Sequence, residues 1–406
     1  MPRRVQKSDS VHTPKQRRRS PAALTPPEHT EPLPPPQPEA RPSRSARIRT
    51  ALLTWYRRGH RDLPWRRLGD PYSVWLSEIM LQQTRVETVK DYYRRFLERF
   101  PTPLSLAEGP LDDVLSLWSG LGYYSRARNL HAAACVIRDQ HGGVFPSDRE
   151  SVHALPGVGP YTAGAILSIA FGQRAPIVDG NVIRVLSRVY AIDDPQESAA
   201  TKRRLWELAA DLCPAPTPGT AQNDPGDFNQ AMMELGATLC VPKNPSCLVC
   251  PLAADCQARA EGDPERYPAQ KREREVPTVQ VVTLILKRGR EVLLVQRPPA
   301  GLWGGLWEPP TGDRQDNESP ESALARLCQD RLGLKINLPN LIPLPSFEHV
   351  LTHRRMQFTP LQADLEEFPP LRLTGYTQSR YIDPALPQSI GLAIWVSRLL
   401  AKLDQK

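Results

Sequence analysis

Two acidic residues, Glu78 and Asp179, stand in sequence contexts that suit carboxyl chemistry. Glu78 lies in Tyr72-Ser73-Val74-Trp75-Leu76-Ser77-Glu78-Ile79-Met80-Leu81, among largely apolar neighbours. Burial there raises a carboxyl pKa and lets the group serve as a general acid. Asp179, in Val178-Asp179-Gly180-Asn181, follows the break at Pro176 and leads into Val182-Ile183-Arg184-Val185-Leu186, which is a helix N-cap position. An ionised Asp179 facing a sugar would also stabilise the positive charge that develops at C1′ when a base departs. One protonated and one ionised carboxylate is the pairing that glycosidic bond cleavage uses. Upstream of Asp179 runs Leu155-Pro156-Gly157-Val158-Gly159-Pro160-Tyr161-Thr162-Ala163-Gly164, between two helical segments. Gly157 and Gly159 permit a tight turn with positive backbone angles. The amides opening the next helix then favour an anion, so the hairpin can hold a DNA phosphate without a basic surface.

Four cysteines, Cys240, Cys247, Cys250 and Cys256, have the spacing C-x6-C-x2-C-x5-C. Thiolates grouped so closely can wrap one soft metal centre. Zinc sites usually use two separated C-x-x-C knuckles. One C-x-x-C flanked by two wider gaps suits a [4Fe-4S] cubane better, with zinc as the alternative. Cys135, Cys213 and Cys328 are scattered in helical text and read as core thiols.

The elements that must carry these groups follow from periodicity. The chain has 406 residues and a net charge of +8. Residues 1–49 hold 11 Lys or Arg against 4 Asp or Glu, so nearly all of that excess sits in the first segment. The body must therefore bind any polyanion through a local site rather than bulk charge. Residues 1–45, with runs such as Lys15-Gln16-Arg17-Arg18-Arg19 and Pro34-Pro35-Pro36, have almost no apolar content and read as a disordered tail. Apolar residues recur at helical spacing in 72–100, 111–139, 160–171, 181–190 and 202–212, so residues 46–260 read as an all-α unit. Residues 261–277 read as a charged linker. The period then changes. Val279–Leu286 and Glu291–Val295 are β-rich runs around a Lys287-Arg288-Gly289-Arg290 turn, a helix is expected at about 319–332, and residues 278–400 read as α+β. No run approaches a membrane span, no secretory signal is expected because the first residues lack an apolar core, and the cysteine usage suits a reducing compartment.

Taken together, these residues resemble the helix-hairpin-helix DNA glycosylase superfamily with an iron–sulfur cluster, over about residues 46–260. Within it they look most like the adenine DNA glycosylases. The residues carrying the likeness are Leu63-Pro64-Trp65-Arg66, Ser77-Glu78-Ile79-Met80-Leu81-Gln82-Gln83-Thr84, Gly120-Leu121-Gly122-Tyr123-Tyr124-Ser125-Arg126 and Val178-Asp179-Gly180-Asn181-Val182. The resemblance implies removal of adenine mispaired with 8-oxoguanine or guanine in double-stranded DNA. Glu78 would protonate adenine N7, Asp179 would stabilise the oxocarbenium-like state, and Asn181 would join the Asp179 network. Tyr161 would pack on Glu78. Endonuclease III-like relatives carry a Lys at that position, and a tyrosine forms no Schiff base, so the resemblance implies a glycosylase without efficient lyase activity. Gln83 and Tyr123 would enter the base stack, while Trp65 and Arg66 would line the adenine pocket.

Residues 278–400 resemble a Nudix-type fold. Gly312, Glu318, Arg326, Gly333 and Leu334 fall in register with its metal motif, but Leu327 and Asp330-Arg331 replace the acidic residues that hold Mg²⁺. The resemblance implies a domain that keeps the fold, lacks pyrophosphatase chemistry and recognises the lesion. Thr352 and His353 stand where the family's hydroxyl and histidine contact 8-oxoguanine, with Leu351 replacing an aromatic residue. The expected protein is thus a monomer with a [4Fe-4S] cofactor, acting on DNA in the bacterial cytoplasm, with an organelle as the alternative. An endonuclease III-like glycosylase/lyase, a non-catalytic damage sensor and a nucleotide pyrophosphatase are the rival readings. Tyr161, the carboxylate pair and the degraded acidic motif oppose them in turn.

Overall fold

Proline and glycine punctuation cuts the N-terminal two thirds into short helices. The computed structural model describes residues 42–220, 222–269, 276–334, 341–386 and 390–404. The helices of the first part are α1 (Arg44–Arg58), α2 (Pro64–Leu68), α3 (Pro71–Leu81), α4 (Val86–Arg99), α5 (Pro103–Glu108), α6 (Leu111–Leu117) and α7 (Ser125–His141). They continue as α8 (Arg149–Ala154), α9 (Pro160–Ile169), α10 (Gly180–Val189), α11 (Ala199–Leu212), α12 (Asp224–Thr238) and α13 (Gln257–Ala260). Side-chain caps start several of them. Asp70 accepts the Ser73 amide ahead of α3, Ser198 caps α11, and Asn223 caps α12.

Helices α3 and α9 are buried on nearly every side. Tyr72 through Met80 and Thr162 through Ser168 are buried without interruption. Helices without a polar face must be enclosed by others. These two pack on each other and carry Glu78 and Tyr161.

Two expectations from periodicity are corrected. The helical run 72–100 is interrupted at residues 82–85, where Gln83 takes a positive φ of 56°. The run 111–139 is interrupted at residues 118–124, where Gly120, Gly122 and Tyr123 are all left-handed. The expected tail also ends earlier than residue 45. Ser43 caps α1, and the Arg44 guanidinium donates to the carbonyls of Val189 and Asp255, which anchors the helix start. The rest of the tail, residues 1–41, lies outside the described residues. The linker begins later than residue 261, because Tyr267 is buried and its carbonyl accepts from Arg188.

The C-terminal part is a mixed sheet with helices α14 (Pro320–Leu327) and α15 (Ile394–Asp404). Its strands are β1 (Thr278–Arg288), β2 (Glu291–Gln296), β3 (Trp307–Glu308), β4 (Thr311–Asp313), β5 (Ile342–Pro343), β6 (Phe347–Leu351), β7 (Arg354–Asp364) and β8 (Gln378–Ile382). The path runs β3-β2-β1-β7-β5, with β4 on β1, β6 on β7 and β8 on β2. Strands β1 and β7 are parallel over ten pairs, from Thr278 with Arg355 to Lys287 with Asp364. Strand β1 is buried continuously from Val281 to Leu286, as a strand enclosed on both faces requires, whereas β7 alternates buried with more exposed residues.

Residues from Ser43 onward form one packed unit. A single apolar core runs from Trp75, Phe96 and Trp118 of the helices to Trp303, Phe358 and Trp395 of the sheet part. Polar bonds fix the junction. Ser119 Oγ and Tyr124 Oη donate to the Leu392 carbonyl at 2.9 and 2.8 Å, and Arg128 donates to the Gly304 carbonyl at 2.6 Å.

Candidate active site

The apolar text around Glu78 does bury it. Only 6% of its surface is exposed. Burial, with the Asp179 charge adding to it, pushes the Glu78 carboxyl up to about 7, against the pull of Tyr161 and Arg66. Tyr161, in the first turn of α9, donates its hydroxyl to Glu78 Oε2 at 2.5 Å and lies 3.1 Å from Met233 Sδ. Burial and the nearby carboxylates hold the Tyr161 phenol well above its ordinary value, so it stays a proton donor.

Asp179 is the N-cap of α10. Its Oδ1 accepts the Val182 amide at 2.7 Å and its Oδ2 accepts Asn181 Nδ2 at 2.9 Å. Burial raises its pKa, while those bonds and the Arg184 charge oppose the rise. Glu78 has a single hydroxyl donor where Asp179 has several. Fewer donors thus hold Glu78 ionised than Asp179, so the two carboxyls have opposed environments. Asn181 is itself fixed, because Arg184 donates to its Oδ1 at 2.8 Å. Its helix also sits hard against α12. A Cβ on Gly236 would lie 2.6 Å from Asn181 Cβ.

Both carboxylates, Tyr161, Trp65, Arg66 and Gln83 line one cleft of about 700 Å³, within the size range of small-molecule sites. Gly157 and Gly159 form its rim, in the turn between α8 and α9. Only Gly157 is left-handed, with φ of 77°, and a Cβ there would strike Asn129 at 2.7 Å. Gly159 has an ordinary φ of −86°, which corrects the expectation of two positive angles. Open space surrounds its Cα, so a phosphate can approach the backbone at the start of α9.

Glu234, on α12, was not legible as a site residue. It is buried in the same cleft and accepts from Arg61 at 2.8 Å and Arg66 at 2.9 Å. Burial pushes its carboxyl up, but the bonds from Arg61 and Arg66 outweigh that and hold it down to about 2. The cleft therefore holds a fixed carboxylate–guanidinium pair, Glu234 with Arg66, near Trp65.

Thr352 and His353 lie elsewhere. They form the two-residue turn between β6 and β7, and both are exposed. Tyr123, 44% exposed, reaches across so that its hydroxyl is 2.6 Å from Thr352 Oγ1. A second cleft of about 360 Å³ holds Tyr123, Leu351, Thr352 and His353 together. In the sheet part, Leu327 is buried in the core against Gly312, and Glu318 pairs with Arg326 at 2.8 Å. A hydrocarbon thus occupies the place of one carboxylate, and Glu318 is neutralised by an arginine.

The four cysteines all border one small cavity with Val185, Arg188 and Leu235. Burial raises the pKa of Cys250 and Cys256, and the charges of the neighbouring cysteines add to this. Arg188, fully buried, donates to Cys240 Sγ at 3.4 Å. Among the described residues, no three His, Cys, Asp or Glu side chains form a group fit for one shared metal ion. Among the described residues, no helix is long and apolar enough to cross a membrane.

Comparison with known proteins places these features in context. Residues 76–211 match the HhH-GPD superfamily base excision DNA repair protein family, and residues 281–402 match the NUDIX domain. An adenine DNA glycosylase of Homo sapiens is 38% identical over 77% of this chain, which spans 66% of the human protein's length. An adenine DNA glycosylase of Buchnera aphidicola subsp. Acyrthosiphon pisum is 34% identical over 86% of this chain and 95% of its own. A solved thermostable thymine-DNA glycosylase aligns with 54% of this chain and 97% of its own, at 30% identity and a TM-score of 0.48.

Proposed function

The chain belongs to the adenine DNA glycosylases of the HhH-GPD base excision repair superfamily, and from that premise we propose that it hydrolyses the N-glycosidic bond of adenine mispaired with 8-oxoguanine or guanine, without lyase action. The observation that carries the proposal is the pair of carboxyls with opposed environments in one cleft, Glu78 beside Tyr161 and Asp179 at the helix cap.

Gly157, Gly159 and the start of α9 grip a phosphate, which sets the sugar against Asp179. Gln83 and Tyr123 enter the stack, and the adenine turns out into the cleft beside Trp65 and Arg66. Glu78, whose raised pKa of about 7 keeps a large share of it protonated near neutral pH, gives its proton to adenine N7. The C1′–N bond breaks with its electron pair leaving on the base. Asp179, oriented by Asn181 and the Val182 amide, stabilises the cationic sugar. Water then adds at C1′ and loses its proton to a carboxylate of the pair. Tyr161 has no amine, so no covalent imine forms and the strand stays intact. Thr352 and His353 face the opposite base, with Thr352 offering a hydroxyl to 8-oxoguanine.

Cys240, Cys247, Cys250 and Cys256 fit a [4Fe-4S] cluster. All four border one small cavity, and the buried Arg188 that donates to Cys240 Sγ offsets the negative charge of thiolates there. When bound, the cluster would supply four iron–thiolate bonds that close residues 240–256 on themselves, while Arg188 ties that loop to α10 through the Val241 and Pro242 carbonyls. The protein acts as a monomer on DNA in the cytoplasm, in keeping with seven unpaired cysteines and the near-full-length likeness to a bacterial relative.

The test is a single-turnover assay on a duplex with one adenine opposite 8-oxoguanine, comparing wild type with Glu78→Gln. Strand breaks only after alkali, and absent in the variant, are expected. Breaks without alkali would overturn the monofunctional reading, and equal breaks in the variant would remove Glu78 as the acid.

A further inference from the structure

Arg126 is a buried cation, only 8% exposed, in the first turn of α7. Its bonded partners are five carbonyls and one hydroxyl, with no carboxylate among them. Nη1 donates to Ile79 O at 2.7 Å, Met80 O at 3.0 Å and Gln82 O at 2.5 Å. Nη2 donates to Thr84 Oγ1 at 3.3 Å, Leu121 O at 3.3 Å and Gly122 O at 3.1 Å. Its backbone amide donates to Tyr123 O at 2.9 Å. The guanidinium lies over the rings of Trp118, at 5.4 Å, and Tyr123, at 5.7 Å.

Three segments meet on this side chain. The first is the last turn of α3, whose end carbonyls lack helical partners and favour a cation. Glu78 directly precedes Ile79 there. The second is the Gln83 loop, bonded at residue 82 and residue 84. The third is the Tyr123 loop, bonded at residue 122 and at Tyr123 itself. Gln83 and Tyr123 are both non-glycine residues in the left-handed region, with φ of 56° and 49°. Such residues persist only where their surroundings over-determine them. The Arg126 side chain bonds on both sides of Gln83, at residues 82 and 84, and just ahead of Tyr123, at residues 121 and 122.

We propose that Arg126 is a positioning residue for base extrusion, holding the Gln83 and Tyr123 loops in their strained shape and in register with the end of α3. This rests on the reading of Gln83 and Tyr123 as residues that enter the base stack. No other residue type fits the role. A planar fork reaches acceptors on both sides, whereas a lysine offers three donors from one point.

The experiment uses the full chain and a duplex with adenine opposite 8-oxoguanine and 2-aminopurine beside the adenine. Fluorescence reports extrusion, and single-turnover rates at several pH values report chemistry. Arg126→Lys should slow extrusion about tenfold, the worth of one charge-assisted hydrogen bond. The pH profile set by Glu78 should not move. In a Gln83→Ala/Tyr123→Ala background, Arg126→Lys should cause no further loss. An equal further loss in that background, or normal extrusion with a shifted pH profile, overturns the proposal. Should Arg126→Lys melt below the assay temperature, Thr84→Val decides. It removes one acceptor beside Gln83, so a smaller fall in extrusion supports the role, and wild-type extrusion overturns it. If the proposed substrate reading itself fails, wild type releases no base, which is distinct from any of these outcomes.

Discussion

Replacing Tyr161 with phenylalanine tests the electrostatics of the acid directly. The substitution removes the hydroxyl that donates to Glu78 Oε2 at 2.5 Å and leaves the ring in place. A hydrogen bond to an ionised carboxylate is worth about 1.5–3 kcal/mol, and a neutral one about 0.5–1.5 kcal/mol. The difference, roughly 1–1.5 kcal/mol, is the extent to which Tyr161 favours the charged form of Glu78. At about 1.36 kcal/mol per pKa unit, its loss raises the Glu78 pKa by about one unit. Burial already holds that carboxyl at about 7. Glu78 must carry a proton to act, so the rate is high below its pKa and falls above it. Single-turnover rates measured from about pH 5.5 to about pH 9 should therefore show the basic limb moving from near 7 to near 8. The plateau at low pH should fall, because the phenol also aims the carboxyl. A basic limb that stays in place or moves downward would refute the assignment of Glu78 as the acid restrained by Tyr161.

Other perturbations follow from the same geometry. Glu78→Gln should stabilise the fold at high pH. The Glu78 pKa is about 7 folded against about 4.5 unfolded, so the folded state holds the extra proton between them and stability falls as pH rises through that window. The shift is worth about 3 kcal/mol, so the midpoint of urea unfolding should rise in the variant at pH about 8 and change little at pH about 4.5. Thr352→Val removes the hydroxyl bonded to Tyr123 and should reduce the preference for 8-oxoguanine over guanine by about 2–10-fold, read as the ratio of single-turnover rates. Cys247→Ser should lower iron content and the melting temperature while leaving the pH profile of any residual activity unchanged, since Cys247 lies outside the Glu78 cleft.

The parts legible in the sequence were those governed by local rules. Apolar neighbours on every side of Glu78 announced a buried carboxyl. The position of Asp179 ahead of an apolar helical run announced a cap, and the structure shows that capping orients the carboxylate. Cysteine spacing and the β-rich runs after residue 278 were equally local. The parts that escaped depend on distant partners. Glu234 reads as an ordinary helical acid, and only Arg61 and Arg66, far back in the chain, bury it and hold it charged. The contact between Tyr123 and Thr352 spans 229 residues and depends on how the sheet part docks. Periodicity also ran straight through the breaks at residues 82–85 and 118–124, because apolar spacing resumes on either side in nearly the same phase.

Those two breaks show where the fold accepts cost. A buried acid at Glu78, left-handed backbone at Gln83 and Tyr123, and an arginine with no carboxylate among its hydrogen-bond partners at Arg126 each depart from a local rule. They also share a location, the last turn of α3 and the loops against it. Departures from local consistency that cluster in this way mark function rather than poor folding. The surrounding structure supplies the compensation. Helices α3 and α9 are enclosed on nearly every side, and the junction at Leu392 ties the Tyr123 loop to the second domain. The groups proposed for base extrusion and proton transfer are thereby mounted on one packed frame. A disturbance at the extruding loops, such as loss of the Arg126 fork, should reach the α3 end that bears Glu78 only through bonds that can be removed one at a time.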